Sequence, residues 1–194
     1  MSIQNKMQEL KRDLLLQEAS KMFEEVGYEQ MKIANLAKTA HVSVGTIYAI
    51  FTSKEGLYLS YIEHQIQGFL LELNEKTDSL NSAQEKIGIF VELKFSYYVQ
   101  KKKAIEKSAT NNPLFFNTLT QEHSEAFEKI YFFLQECFMQ LNPQIDIQKA
   151  KRLSFAFNGF SDGYISLWLE NGDDLMQYTD EVCKLFTNML YECC

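Results

Sequence analysis

The chain reads as an all-α protein: a small N-terminal helix-turn-helix domain followed by a larger helical bundle, about nine helices in all. Three observations predict this. Apolar residues recur at three- and four-residue steps along almost the whole length, and no segment alternates apolar and polar like a half-buried strand. The 194 residues also include only 8 Gly and 2 Pro, few for the many turns of an all-β chain. With 46% hydrophobic and 23% charged residues, the composition excludes disorder, collagen-like repeats and a disulfide-rich mini-protein. A chain of this length buries roughly 70% of its unfolded surface. It needs no metal or disulfide to hold a core, and no cofactor is expected.

Taken in order, the first long helix carries Leu15, Ala19, Met22, Phe23 and Val26, and Gly27 stands where a helix C-terminal glycine belongs. Two short helical pieces follow, about 31–38 and 44–51, separated by Thr39, Ala40, His41, Val42 and Ser43. Two short helices joined by so brief a turn form a helix-turn-helix pattern. Ser43 is placed to cap the second piece. Thr52 and Glu55 read as a capping box opening the next helix, which runs through Leu57, Tyr61, Ile66, Phe69 and Leu73 to about residue 76. The expected domains are therefore 1–52 and 53–194, with helix 53–76 linking them.

Ile87, Val91, Phe95 and Tyr98 mark another helix, and Asn111-Asn112-Pro113 breaks the chain. Phe127, Ile130, Tyr131, Leu134, Phe138 and Leu141 mark the next, stopped by Asn142-Pro143. Leu153, Phe157, Phe160, Tyr164 and Leu167 form a stripe ended by Asn171-Gly172; Tyr178, Val182, Leu185, Phe186, Met189 and Leu190 form the last one. Small residues Ala156, Gly159, Gly163 and Ser166 flank the first of these two stripes. Glycine inside a helix costs about 1 kcal/mol relative to alanine, so such a row points to a second helix approaching closely. A homodimer seam built from these residues and from Val182, Leu185, Phe186 and Met189 is expected.

Charge neither argues for nucleic acid nor excludes it. Residues 1–58 hold seven basic and seven acidic side chains, so the whole net charge of −7 falls on the remainder. No apolar run approaches the ~20 residues of a membrane span, and the N-terminus lacks a signal-peptide core. A cytoplasmic location with no membrane partner is expected. Cys137, Cys183, Cys193 and Cys194 show no C-x-x-C spacing, and His41, His64 and His123 show no H-x-x-x-H spacing, so no metal site is expected. Gly159-Phe160-Ser161-Asp162-Gly163 satisfies the G-x-S-x-G elbow of α/β-hydrolases. It lies inside a helical stripe with no histidine after it, and an enzyme is not expected.

Gly27-Tyr28, Ile33-Ala34-Asn35-Leu36-Ala37, Val42-Ser43-Val44-Gly45-Thr46-Ile47-Tyr48 and Phe51-Thr52-Ser53-Lys54-Glu55-Gly56-Leu57 together resemble the N-terminal domain of tetracycline-repressor (TetR) family regulators. The resemblance implies a homodimer that sets paired helices into successive major grooves of a near-palindromic double-stranded DNA operator, and a small-molecule effector bound by the second domain. It carries DNA contact to Thr46, Tyr48 and Lys54. Gly45 lacks a side chain where a helix would lie close to a sugar-phosphate backbone. Ser43, Val44 and Ala49 are exposed candidates for base contact, and none makes a bidentate pair with guanine or adenine, so an A·T-leaning site is expected. Departures from the family's pattern are Val44, Ile50, Met31-Lys32 and His41. Lys32 is a candidate phosphate contact, and His41 occupies a turn position that wants positive φ.

The aromatics of the second domain suggest an apolar ligand pocket, with Phe95, Tyr98, Phe116, Phe127, Tyr131 and Trp168 as candidate lining and His123 and Asn158 as candidate polar contacts. The function expected is a ligand-responsive regulator, a repressor released by a small hydrophobic or aromatic effector. Two alternatives stand beside it. One is an effector-independent DNA-binding protein acting through a protein partner, and the other is a small-molecule-binding or catalytic protein that reuses the bundle.

Overall fold

The computed structural model describes residues 2–102 and 125–192, the side chains of Met189, Tyr191 and Glu192 excepted. The described residues form helices α1 (Ile3–Gln30), α2 (Ile33–Thr39), α3 (Val44–Phe51), α4 (Lys54–Thr77), α5 (Ala83–Gln100), α6 (Glu125–Leu141), α7 (Ile147–Asn171) and α8 (Thr179–Glu192), with a 3-10 turn at Leu175–Tyr178. No strand occurs among them. Asn111-Asn112-Pro113, Phe116, His123, Cys193 and Cys194 lie outside the described residues. Two compact units divide the chain, one holding residues up to Gln65 and the other residues 66–102 together with those from α6 onward.

In the first unit, Ser2 caps α1 by accepting from the Asn5 amide at 3.2 Å. The helical path ends at Gly27, whose φ of 76° is open to glycine at no steric cost. The turned chain brings Tyr28 back beside Phe23. Leu15, Leu16, Ala19 and Phe23 of α1 then cover Ile33, Leu36 and Ala37 of α2, Ile47 and Phe51 of α3, and Leu57, Tyr58 and Tyr61 of α4. Phe23 is the hub, with ring centroids 5.0 Å from Tyr58 and 5.3 Å from Tyr61.

The start of α4 departs from the expected capping box. Thr52 sits at φ 66° and closes α3, its amide donating to the Tyr48 carbonyl. An N-cap needs extended backbone, so that role falls to Ser53, whose hydroxyl accepts from the Gly56 amide at 3.0 Å. Glu55 turns instead to the Tyr28 hydroxyl at 2.9 Å. The turn is so tight that a Cβ on Gly56 would lie 2.2 Å from the Phe51 carbonyl oxygen.

The second unit packs α5, α6, α7 and α8 around Phe90, Phe138, Phe157 and Phe186, all buried. Phe186 lies 4.5 Å from Phe157 and 5.1 Å from Phe138 between ring centroids. Asp146 caps α7, and Gly172, left-handed at φ 73°, ends it. Tyr178 belongs to the 3-10 turn before α8, because Asp174 caps that turn through the Met176 amide.

Gly56→Ala is expected to destabilise the first unit by about 1–3 kcal/mol, the usual range for forcing extra atoms into a packed site. Urea denaturation followed by far-ultraviolet circular dichroism measures this.

Candidate nucleic-acid interface

Helix α3 has two unlike faces. Ile47 and Phe51 point into the core of the first unit, and Ser43, Val44, Gly45, Tyr48 and Ala49 lie outside, with Thr46 at the edge. Val44 is 39% and Tyr48 45% exposed, high values for apolar and aromatic side chains on so short a helix. Ser43 caps α3 as expected, its hydroxyl accepting from the Thr46 amide at 3.1 Å and lying 2.9 Å from the Thr46 hydroxyl. The nearest atom to a Cβ built on Gly45 is the Ser43 hydroxyl at 3.7 Å. Packing among the described residues therefore has room for a side chain at this position.

The turn before α3 contains His41 at φ 53°, the left-handed region the sequence position called for. Lys32 is exposed at the start of α2. Lys54 stands at the N-terminus of α4, its ammonium 3.3 Å from the Glu29 carbonyl and 4.5 Å from the centre of the Tyr28 ring. Beneath it, the carboxyl of Glu55 is held below its ordinary value by its own backbone amide and by the Tyr28 hydroxyl. Burial and that same carboxylate push the Tyr28 phenol up to about 12. Sequence reading passed over Arg12, which lies over the Phe51 ring at 5.5 Å and donates to the Ser60 hydroxyl at 3.0 Å. The outer face thus offers hydroxyls, small apolar groups and flanking cations, the chemistry of phosphate contact and thymine-methyl contact.

Residues 15–61 match the family model of bacterial regulatory proteins, tetR family. The N-terminal helix-turn-helix region is thus a TetR-family domain. Among curated relatives, a fatty acid metabolism regulator protein of Bacillus subtilis is 29% identical over 82 residues, 42% of each chain. An HTH-type transcriptional regulator of Staphylococcus aureus is 23% identical over 167 residues, 84% of this chain and 90% of the relative. Among solved structures, FadR from Bacillus subtilis in complex with stearoyl-CoA matches with a TM-score of 0.68 at 21% identity, covering 89% of this chain and 96% of that one. FadR from Bacillus halodurans matches with a TM-score of 0.68 at 21% identity, covering 91% and 94%. The structural likenesses establish the all-α TetR-type fold.

In the second unit, the residues named as pocket lining are dispersed. Phe95 and Trp168 are buried, with the Lys102 ammonium 4.7 Å from the centre of the Trp168 ring. Tyr131 stacks on Phe155 at 4.0 Å and lines a groove of about 670 Å³ with Leu70, Phe132 and Phe133. Phe127 and Tyr98 are half-buried. Asn158 is committed to a cluster that sequence reading missed: the buried Lys94 ammonium donates to Asn158 Oδ1 at 2.7 Å and Ser161 Oγ at 2.8 Å, and pairs with Asp162 Oδ1 at 2.8 Å. The signal was present, since Lys94 lies in the apolar phase of α5 between Val91 and Tyr98. Ser161, the centre of the G-x-S-x-G match, is fully buried within α7 and donates to the Asn158 carbonyl. Burial, with Asp162 nearby, raises the Tyr98 and Tyr131 phenols.

Along α7, Ala156, Gly159, Gly163 and Ser166 are exposed, as is Leu185 on α8, and nothing lies within 4 Å of a Cβ built on either glycine. Val182 and Phe186 face the unit's own core, and the Met189 side chain is outside the described residues. Burial raises the Cys137 and Cys183 thiols to about 11. Among the described residues, no group of three or more His, Cys, Asp or Glu converges on a metal site. No helix among them is long and apolar enough to cross a membrane.

Asp162→Ala, which strands a buried ammonium, is expected to cost about 3–5 kcal/mol, whereas Lys94→Met costs far less in urea denaturation. Burial holds the Lys94 ammonium below its ordinary 10.5, so the Asp162→Ala protein regains stability as pH rises toward that value. For Glu55 the depressed carboxyl contributes stability above its ordinary 4.5, lost as pH falls through the folded value. Glu55→Gln is therefore modestly less stable than the parent at neutral pH, and the gap closes in acid; thermal melts across that range measure it.

Proposed function

We propose that this chain is a homodimeric transcriptional repressor whose α3 helices enter successive major grooves of a near-palindromic operator, and which a small hydrophobic effector releases. The observation that carries the reading is the outer face of α3, exposed and free of close packing while Ile47 and Phe51 anchor its other side. On this reading residues 1–52 bind DNA, residues 53–194 bind effector and dimerise, and the helix starting near residue 53 links them. Thr46, Tyr48, Lys32 and Lys54 hold phosphates, and Gly45 admits the sugar-phosphate backbone. Ser43, Val44 and Ala49 face base edges, with apolar contact favouring A·T-rich steps.

Exposed Gly159, Gly163 and Leu185, flanked by Ala156 and Ser166, supply the dimer seam, where small residues let two helix pairs close together. An acyl-chain effector is the class best supported, because relatives include a fatty acid metabolism regulator and a fold neighbour in complex with stearoyl-CoA. DNA holds the two α3 helices about one helical turn apart, ~34 Å. A ligand that favours another packing of α4 opposes that spacing, and the two affinities then oppose each other reciprocally.

Selection from a random duplex library at moderate salt tests the reading. A near-palindromic site is expected, and Tyr48→Phe with Lys54→Ala lowers affinity for it and reduces the salt dependence by about one to two released counterions. Tyr48 is exposed and Lys54 half-buried against Tyr28, so the melting temperature and helix content of the variant are measured beside its affinity. Long-chain acyl-CoA added to the recovered complex is expected to dissociate it. Failure to enrich any site at low and moderate salt alike would overturn the DNA-binding reading. Enrichment without acyl release would leave an effector-independent regulator.

A further inference from the structure

Helix α1 carries two apolar faces on opposite sides. One, made by Leu15, Leu16, Ala19 and Phe23, is the core face of the first unit. The other, made by Ile3, Met7, Leu10 and Leu14, is 81%, 67%, 60% and 54% exposed. At 3.6 residues per turn the second set lies about half a turn away from the first, so it is no extension of the core stripe. Its spacing of four, three and four is that of a coiled-coil seam, with Met7 and Leu14 at a, Ile3 and Leu10 at d. The next positions in the same phase are Gln17 and Lys21, which end the seam, and the Ser2 cap begins it. Arg12, opposite the seam, is held against the unit's own body by Ser60 and Phe51.

The flanking charges select the occupant. The g positions are Lys6 and Asp13, and the e positions are Gln4 and Lys11, with both lysines and Asp13 exposed. A parallel pair would set Lys6 against the partner's Lys11, like against like. An antiparallel pair sets Ile3 on the partner's Leu14 and Met7 on the partner's Leu10, with Lys6 facing the partner's Asp13 twice over and Lys11 facing the neutral Gln4. This stretch is complementary to itself in one orientation, the requirement of a two-fold interface. We propose that the N-terminal half of α1 docks antiparallel against α1 of a second copy of this chain, giving a self-association surface separate from the seam on α7 and α8. Four apolar side chains from each copy make a small, transient contact, so the association is concentration-dependent.

Sedimentation of the full chain from low micromolar to several hundred micromolar tests this. The wild type is expected to reach about twice the mass of the Met7→Asp/Leu10→Asp variant at the upper end, with equal helix content by circular dichroism. Lys6→Asp and Asp13→Lys each place like charges together and abolish the increase; the double variant Lys6→Asp/Asp13→Lys restores it. Lys11→Glu leaves it unchanged. Equal masses for the wild type and Met7→Asp/Leu10→Asp throughout, or no recovery in the charge-swapped double variant, would overturn the proposal. A gain in association by Lys11→Glu would overturn the antiparallel orientation.

Discussion

An eight-residue helix in water does not hold itself together, and the functional surface of this chain rests on one. What keeps α3 in place is the burial of Ile47 and Phe51 in a core organised by Phe23. The rest of the first unit follows from that constraint. Gly27 returns the chain so that Tyr28 reaches Phe23 and Glu55, and Gly56 lets α4 start hard against the end of α3. These tight points fix a short helix whose outward face, the Ser43 cap apart, makes no close packing contact among the described residues of the first unit.

The second unit is organised differently. Its core is a set of phenylalanine rings, tolerant of shape but demanding of dryness, and one ammonium has been placed among them. Lys94 is held by Asp162, Asn158 and Ser161, which join α5 to α7. A buried ion pair is seldom a net source of stability, since desolvation offsets most of the attraction. Its effect is to make the register between these two helices costly to change, which a purely apolar contact would not do.

Much of the fold was legible in the chain. The stripes on α4, α5, α6 and α7, the stops at Gly27 and Gly172 and the Ser43 cap all follow from local chemistry, because periodicity and backbone sterics act over a few residues, whereas the positive φ at His41 was implied by the family resemblance. The error at Thr52 is instructive for the same reason. Thr52 and Ser53 are both capping residues by type, and the choice between them depends on which one ends α3 with positive φ. The outer face of α3 was legible as well, since a helix that buries Ile47 and Phe51 has its other face outward. The polar cluster was not, because Lys94 and Asp162 lie far apart in the chain and only the packing of α5 on α7 brings them together.

The sequence by itself determined most of the helices and their apolar faces, since these are written in spacings of three and four residues, and the family entered only through the resemblance of residues 27–57. Only the tertiary structure decided which apolar residues had a partner within the chain. Ile3, Met7, Leu10 and Leu14 share the three- and four-residue spacing of a core stripe, and Val182 and Phe186 were expected at a seam. The first set stands in solvent and the second is enclosed, because burial is a property of what packs opposite a helix, and no single helix records its neighbours.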